Sequence, residues 1–220
     1  MTEKVIPVSI EDVVWKDLWF AMGYRDSEPE PAIQEMAKAL VAELLPGTQI
    51  RYAYRIVEAV KLSPKKMMLD GREFTPNGII TSYLDGMTHA CVFLATAGRE
   101  FDATIRRTRF KDDIFSEFVA DSLGSLLAEL AVSRLERDLG MGEGQSLPYS
   151  PGYCDWDISD QKQFFELFPL QTCGITLSDT FLMSPEKSIS GFCAFGEKLV
   201  RQPYHCEICR NTKCYKRRLK

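Results

Sequence analysis

Several familiar catalytic signatures are missing from this 220-residue chain. It contains no Walker A loop, no G-x-G-x-x-G fingerprint, no G-x-S-x-G elbow and no H-E-x-x-H pair, so no hydrolytic or dehydrogenase mechanism is spelled out. Internal repeats and low-complexity segments are also missing. Candidate functional residues must therefore be sought in single turns and among the cysteines.

Long hydrophobic runs are missing as well. The run "ACVFLATA" (90–97) is far too short to cross a bilayer. The N-terminal "MTEKVIPVSIED" lacks the basic-then-apolar pattern of a signal peptide. We therefore expect a cytoplasmic protein without membrane contact. In a reducing compartment, its seven cysteines are expected to be buried thiols, metal ligands or redox groups rather than disulfides.

Excess positive charge is missing from the chain as a whole, whose net charge is −4, so we expect no nucleic-acid partner. The charge is uneven, however. Residues 201–220 hold seven basic residues and one acidic residue, a net +6 that leaves −10 for residues 1–200. A basic tail on an acidic body suggests that the tail contacts an anion, a partner or the body itself. We predict one domain over 1–200, on which the tail 201–220 packs.

Hydrophobic periodicity predicts mixed helices and strands. The patterns, in chain order, are a strand at 4–9, a helix at 10–23, a helix at 32–45, a strand at 49–60, a hairpin turn at Asp70-Gly71, a near-continuous apolar strand at 88–98, a helix at 109–139, a helix at 159–168, and two strands joined as a hairpin by "SPEK" (184–187). Regular βαβ alternation is missing. We therefore predict an α+β fold with a largely antiparallel, twisted sheet and packed helices.

The helix predicted at 109–139 has an unusually small middle, "DSLGS" (121–125). Small residues on a long helix allow close approach of a backbone or a ligand, or simply tight packing on the sheet. Three of its carboxylates are most simply part of a solvated face; they are Asp112, Asp113 and Asp121.

A turn at 149–156, "YSPGYCDW", carries three aromatic side chains and a thiol. Its Pro151-Gly152 pair is a strong turn signal, because proline presets φ and glycine accepts positive φ. Surface turns usually carry small polar residues instead, so this composition marks the turn as a candidate site.

The tail contains "CEICRNTKC", in which Cys206, Cys209 and Cys214 have C-x2-C-x4-C spacing. Thiolates from one tight turn can reach the same ion, and soft sulfur ligands suit zinc or an iron–sulfur cluster. Redox-sensitive thiols without metal, or a thiol–disulfide pair, are the alternatives. A fourth ligand would come from Cys154, which we favour because it lies in the aromatic turn; the other candidates are Cys173, Cys193 and His205.

The segment "SPGYCDWDISDQKQFFELFPLQTCGITLSDTFLMSPEKSISGFCAFG" (150–196) resembles the S-adenosylmethionine-binding activation domain of cobalamin-dependent methionine synthase. That family has an Arg-x-x-x-Gly-Tyr loop, a helix, and two strands with an "SxSG" hairpin. A weaker resemblance extends over "ATAGREFDATIRRTRFKDDIFSEFVADSLGSLLAE" (95–129), so that about 88–196 is covered. The chain is similar to free-standing versions of the domain with an added cysteine-rich tail.

The resemblance implies that S-adenosylmethionine is held over a corrin while an electron arrives, and that methyl transfer then traps the cobalt. The cofactor-binding residues it implies are Pro151, Gly152, Tyr153, Trp156 and Glu129. Gly152 would allow close backbone approach, and the aromatic rings would face the adenosyl and sulfonium groups.

Two positions depart from the family pattern. Pro148 occupies the place of the arginine that would clamp the methionine carboxylate. An acidic residue on the long helix is replaced by Ser125, and Glu129 lies one turn later on the same face.

Two functional hypotheses follow. In the first, the chain is an accessory protein for reductive reactivation, and its partner is a corrinoid methyltransferase or a methionine synthase that lacks this domain. In the second, the chain is a non-catalytic module that binds a corrinoid protein. The cobalamin would belong to the partner. The cysteine tail favours the first hypothesis, and Pro148 favours the second.

Overall fold

The structure is a computed structural model that describes residues 1–25, 27–108, 113–140, 142 and 144–202. Its elements, in chain order, are β1 (Thr2–Pro7), a 3-10 turn (Ile10–Asp12), α1 (Trp15–Ala21), α2 (Pro31–Leu44), β2 (Gln49–Ser63), β3 (Lys66–Leu69), β4 (Arg72–Phe74), α3 (Gly78–Thr81), β5 (His89–Thr96), α4 (Arg99–Thr108), α5 (Ile114–Asp138), α6 (Asp160–Phe165), a 3-10 turn (Thr172–Gly174), β6 (Thr176–Leu177), β7 (Met183–Ser184) and β8 (Ser188–Phe195).

The main sheet is built around the long strand β2. One edge of β2 pairs with β1 along its first half and with β3 along its second half, while its other edge pairs with β5. Strand β4 extends the sheet beyond β3, and β8 extends it beyond β5. Each of these pairings is antiparallel, which confirms the predicted α+β class with a largely antiparallel sheet.

Strand β5 lies in the interior of the sheet, between β2 and β8, as its apolar run predicts, and seven of its eight residues are buried. Side chains of a strand alternate between the two faces of a sheet. Cys91, Phe93 and Ala95 therefore face the core that contains α1, α2 and α5, whereas Val92 and Leu94 face a second core. The turn at 149–156 and α6 cover this second face, so the sheet separates the turn from α5.

Local sequence signals locate several elements correctly. Asp70 and Gly71 both have positive φ, as a two-residue hairpin turn between β3 and β4 requires. Ser9 and Asp12 have the spacing of a capping box, and the Ser9 amide donates to the Asp12 carboxylate at 3.0 Å at the start of the 3-10 turn that precedes α1.

The helix predicted over 109–139 corresponds to α5, which begins at Ile114, and residues 109–112 lie outside the described residues. The structure adds α4 before it, a helix that is not among the predicted elements. Asp113 precedes α5, and its carboxylate accepts a hydrogen bond from the Ser116 amide as an N-cap. Helix α4 has acidic residues in its first turn and basic residues in its last, in accord with the helix dipole.

The predicted hairpin across "SPEK" is wrong. Strand β7 pairs with β6 in a separate two-stranded sheet, while β8 pairs with β5. Ser178 fixes the β6–β7 connection, because its amide donates to the Leu182 carbonyl at 2.9 Å and its hydroxyl accepts from the Leu182 amide at 3.0 Å.

The small middle of α5 serves tight packing. A Cβ atom at Gly124 would lie 2.7 Å from Cγ of Lys187 and 2.8 Å from Cε1 of Phe101. The Lys187 ammonium reaches across this gap to Asp121 at 2.6 Å and to Ser125 at 3.2 Å. Asp121 is therefore ion-paired rather than merely solvated.

The part of the chain that the structure describes contains no helix with both the length and the apolarity of a bilayer span. Residues 203–220 lie outside this part, so the boundary between a domain at 1–200 and a tail at 201–220 stays a prediction.

Candidate functional site

The segment that leads into the aromatic turn lies along the outer edge of β8. The amide of Tyr149 donates to the Phe192 carbonyl at 2.9 Å, and the Phe192 amide donates back to the Tyr149 carbonyl at 2.9 Å. Gly191 permits this approach, because a Cβ atom there would lie 2.7 Å from the Tyr149 carbonyl oxygen. The turn is thereby fixed to the sheet at its first residue.

The turn itself is closed by main-chain hydrogen bonds, as the Pro151-Gly152 pair predicts. The Gly152 amide donates to the Trp156 carbonyl at 2.9 Å, and the Trp156 amide donates to the Tyr153 carbonyl at 2.9 Å. Gly152 has a φ of +88°, which favours glycine. Cys154 and Asp155 also have positive φ, and the Cys154 carbonyl accepts a hydrogen bond from the Asn77 side-chain amide.

Two of the three aromatic side chains anchor the turn in the core. Trp156 is 2% exposed and makes edge contacts with Phe74 and Phe192, and its indole N–H donates to the Asp160 carboxylate at 2.7 Å. Tyr149 is also buried and stacks on Tyr83, and burial raises the pKa of its phenol. Thus Trp156 supports the turn from beneath and does not line the open surface.

A groove of about 710 Å³ lies between this turn and α4, within the ~300–1,000 Å³ typical of small-molecule sites. Strand β8 and α6 contribute its floor, and the β7 region forms one side. The lining residues from the turn are Ser150, Pro151, Gly152 and Tyr153, and those from α4 are Asp102, Ile105 and Arg106. Tyr153 is 37% exposed, so its side chain is accessible to a ligand.

The groove combines a buried polar floor with a charged wall. Gln161 and Ser190 are almost fully buried, and the Ser190 hydroxyl donates to the Gln161 side-chain carbonyl at 3.2 Å. The charged lining residues are Asp102, Arg106 and Glu186. The Arg106 guanidinium forms an ion pair with the Asp102 carboxylate at 2.9 Å, one helical turn away.

The structure brings three predicted cofactor-binding residues together in this groove; they are Pro151, Gly152 and Tyr153. It does not place Glu129 among the groove's lining residues, because α5 packs on the opposite face of the sheet. Asp121, one turn before Ser125, instead lines a neighbouring cavity of about 400 Å³ together with Lys187.

The four described cysteines differ in accessibility. Cys91, Cys173 and Cys193 are buried, and burial raises the pKa of each thiol, to about 12 for Cys91. Cys154 is partly exposed. Within the described residues, no cluster of three or more His, Cys, Asp or Glu side chains can hold a metal ion. The other predicted ligands lie outside the described residues; they are Cys206, Cys209 and Cys214, with His205 as the alternative.

Sequence reasoning missed the charged wall of the groove. Asp102 and Arg106 have the acid-first i,i+4 spacing of a helical ion pair, and Phe101 and Ile105 repeat at the same interval. This pattern was sufficient to predict α4. Nothing in the sequence indicated that α4 faces the turn at 149–156, since about 50 residues separate them.

Comparison with known proteins identifies the fold. No family model matches the chain, and no curated protein matches it. Among solved structures, the chain is similar to the crystal structure of the MetH reactivation domain bound to AdoHcy, with a TM-score of 0.62 and 14% sequence identity. The match covers 90% of this chain and 79% of that chain. The protein therefore has the fold of a methionine synthase reactivation domain.

Proposed function

We propose that this protein binds S-adenosylmethionine in the groove between α4 and the turn, and that it supports reductive reactivation of a corrinoid protein. The observation that carries the proposal is the position of Gly152 and Tyr153, which line a groove of ligand size. The similar solved domain is bound to AdoHcy, the demethylated form of the same ligand. An aromatic face and an exposed glycine backbone suit an adenosyl sulfonium compound.

The charge of the groove also supports this ligand. Among the lining residues, Asp102 and Glu186 are acidic and Arg106 is basic, which gives a formal charge of −1. S-adenosylmethionine carries a sulfonium, an ammonium and a carboxylate, and hence a net charge of +1. Opposite net charges favour association, and the partly enclosed groove strengthens the attraction relative to water.

The chain would position the methyl donor, and the corrinoid of the partner would be the substrate. An external one-electron donor would reduce the partner's cob(II)alamin to cob(I)alamin. The electron pair of the reduced cobalt would then attack the methyl carbon, so that the cobalt–carbon bond forms, the carbon–sulfur bond breaks, and AdoHcy leaves with the sulfur electron pair. The groove's own contribution is to hold the sulfonium beside Tyr153 and the turn backbone.

Tyr153 provides the test of ligand binding. We expect Tyr153→Ala to weaken S-adenosylmethionine binding roughly 3- to 10-fold in isothermal titration calorimetry, because the aromatic contact contributes about 0.5–1.5 kcal/mol. Phe118→Ala is the matched control, since Phe118 is an exposed aromatic residue on α5 outside the groove lining. Absence of both heat and thermal shift with millimolar ligand in the wild-type protein would exclude this function.

A non-catalytic module that binds a corrinoid protein is the alternative, and Pro148 favours it. Proline has no side-chain donor with which to hold a carboxylate at this position of the turn. Such a module would have the same fold but would give no heat of binding with S-adenosylmethionine. The same calorimetry therefore separates the two functions.

We further propose that Cys154 joins Cys206, Cys209 and Cys214 in a zinc site or an iron–sulfur cluster. Cys154 is the partly exposed member of the described cysteines, whereas Cys193 is buried with a raised thiol pKa. A metal-binding thiol must lose its proton, which burial opposes.

Metal analysis of anaerobically purified protein tests this site. We expect near-stoichiometric zinc or iron in the wild type, and a loss of most of it in Cys209→Ala and in Cys154→Ala. Cys193→Ala is the matched control and should retain the metal. A folded, metal-free wild-type protein with titratable thiols contradicts the proposal. If the metal is lost in Cys209→Ala but kept in Cys154→Ala, Cys154 is not a ligand.

A further inference from the structure

We propose that Arg106 binds the carboxylate of the ligand's amino-acid portion, while Asp102 and Glu186 receive its ammonium group. This inference rests on the proposed function. It assigns an orientation to the ligand, with the amino acid toward α4 and the adenosyl group toward the turn. Arg106 would thus perform the task for which Pro148, at its position before the turn, has no side-chain donor.

Arg106 is the basic residue among the lining residues of the groove. It lies in the last turn of α4, across the groove from Gly152 and Tyr153. The side chain of Arg106 is 73% exposed and that of Asp102 is 30% exposed. A ligand carboxylate in the groove can therefore reach the guanidinium without displacing a core residue.

The ion pair with Asp102 orients Arg106 without using up its donors. A guanidinium has five N–H donors in a planar fork, so one edge can contact Asp102 while others contact a ligand carboxylate. Asp102, at 2.9 Å from Arg106, has the i,i+4 spacing that holds the side chain along the helix. With Glu186 from the β7–β8 connection, the lining offers both acidic and basic groups to the ammonium and the carboxylate of a zwitterion.

The neighbouring cations are committed to other contacts. Lys187 lines the adjacent cavity, which shares Asp102, Arg106 and Glu186 with this groove, and its ammonium is paired with the Asp121 carboxylate at 2.6 Å. Arg99 donates to the Gly174 carbonyl at 2.9 Å. Among the described residues, Arg106 is therefore the cation placed to bind an anionic group within this groove.

The test compares two ligands that differ in the amino-acid portion. S-adenosylhomocysteine has this portion, whereas 5′-methylthioadenosine lacks it, and both have zero net charge. Calorimetry is done with the wild type, Arg106→Ala, Arg106→Lys and Arg107→Ala. Arg107 is the matched control, because it is the next residue on the same helix, bonds to the Thr104 hydroxyl at 3.2 Å and does not line the groove.

We expect Arg106→Ala to weaken S-adenosylhomocysteine binding about 2- to 5-fold, the value of an ion pair formed by an exposed guanidinium, and to leave methylthioadenosine binding unchanged. Arg106→Lys should recover part of the loss, because a lysine keeps the charge but not the fork. Arg107→Ala should match the wild type with both ligands.

The outcomes separate this inference from the proposed function. If Arg106→Ala binds S-adenosylhomocysteine with wild-type affinity, the role of Arg106 is overturned and the proposed function remains intact. Equal loss of both ligands in Arg106→Ala also overturns it, because the effect is then not specific to the carboxylate. Failure of the wild type to bind either ligand overturns both proposals.

Discussion

Replacement of Trp156 by alanine is expected to lower the free energy of unfolding by about 3–5 kcal/mol, which is the usual effect of removing a large core aromatic side chain. The indole is 2% exposed, contacts Phe74 and Phe192 edge-on, and closes the base of the turn. Its loss would leave a cavity under Gly152 and Tyr153. Urea denaturation followed by circular dichroism measures the change.

Trp156→Phe separates packing from hydrogen bonding at the same position. The phenyl ring keeps most of the apolar contact but loses the indole N–H bond to the Asp160 carboxylate, 2.7 Å in length. A hydrogen bond to a charged group contributes about 1.5–3 kcal/mol. We therefore expect the free energy of unfolding of Trp156→Phe to lie between those of the wild type and Trp156→Ala. Ligand affinity should remain close to wild type in this variant, since Trp156 does not line the groove.

Tyr153→Ala is the matched control for stability, because Tyr153 is the exposed aromatic residue of the same turn. Exposed substitutions usually change stability by less than about 0.5 kcal/mol. Equal effects of Trp156→Ala and Tyr153→Ala on unfolding would contradict the anchoring role. A loss of ligand affinity in Trp156→Phe with unchanged unfolding would show instead that the indole contacts the ligand.

The difference between these aromatic residues also shows where prediction from sequence ends. The Pro151-Gly152 turn was predictable, because proline and glycine fix local backbone angles. Whether an aromatic ring in the turn faces solvent or core depends on the strand beneath it. Here Gly191 of β8 brings the turn close enough to bury Trp156, and no local pattern encodes that contact.

Strand pairing shows the same limit. The interior position of β5 could be predicted from its uninterrupted apolar sequence, since a strand that is buried on both faces has that pattern. The pairing of β7 could not, because "SPEK" resembles a hairpin turn while the partner of β7 is decided by Ser178 and Leu182 earlier in the chain. The charged wall of the groove depends likewise on how α4 packs, which propensity alone does not determine.

Gly98→Ala is expected to destabilise the fold by about 2–5 kcal/mol and to weaken ligand binding. Gly98 lies between β5 and α4 with a φ of +95°, and a Cβ atom there would lie 2.2 Å from the Gln49 carbonyl oxygen. The left-handed backbone costs about 1–2 kcal/mol for a residue with a side chain, and overpacking adds about 1–3 kcal/mol. Relief of this clash requires α4 to move, together with Arg106 on the groove wall.

Gly23→Ala is the matched control because its φ of +91° is nearly the same, while nothing lies within 4 Å of the added Cβ atom. This variant should lose only the unfolding free energy that a left-handed backbone costs, about 1–2 kcal/mol, and it should keep wild-type ligand affinity. The difference in unfolding free energy between the two variants then measures the contact between β2 and the start of α4. Two hydrogen bonds from Arg51 to Glu100, at 2.6 and 2.7 Å, also stabilise this contact. Equal losses of stability and equal ligand affinities in the two variants would mean that α4 shifts without strain, and that its position does not set the width of the groove.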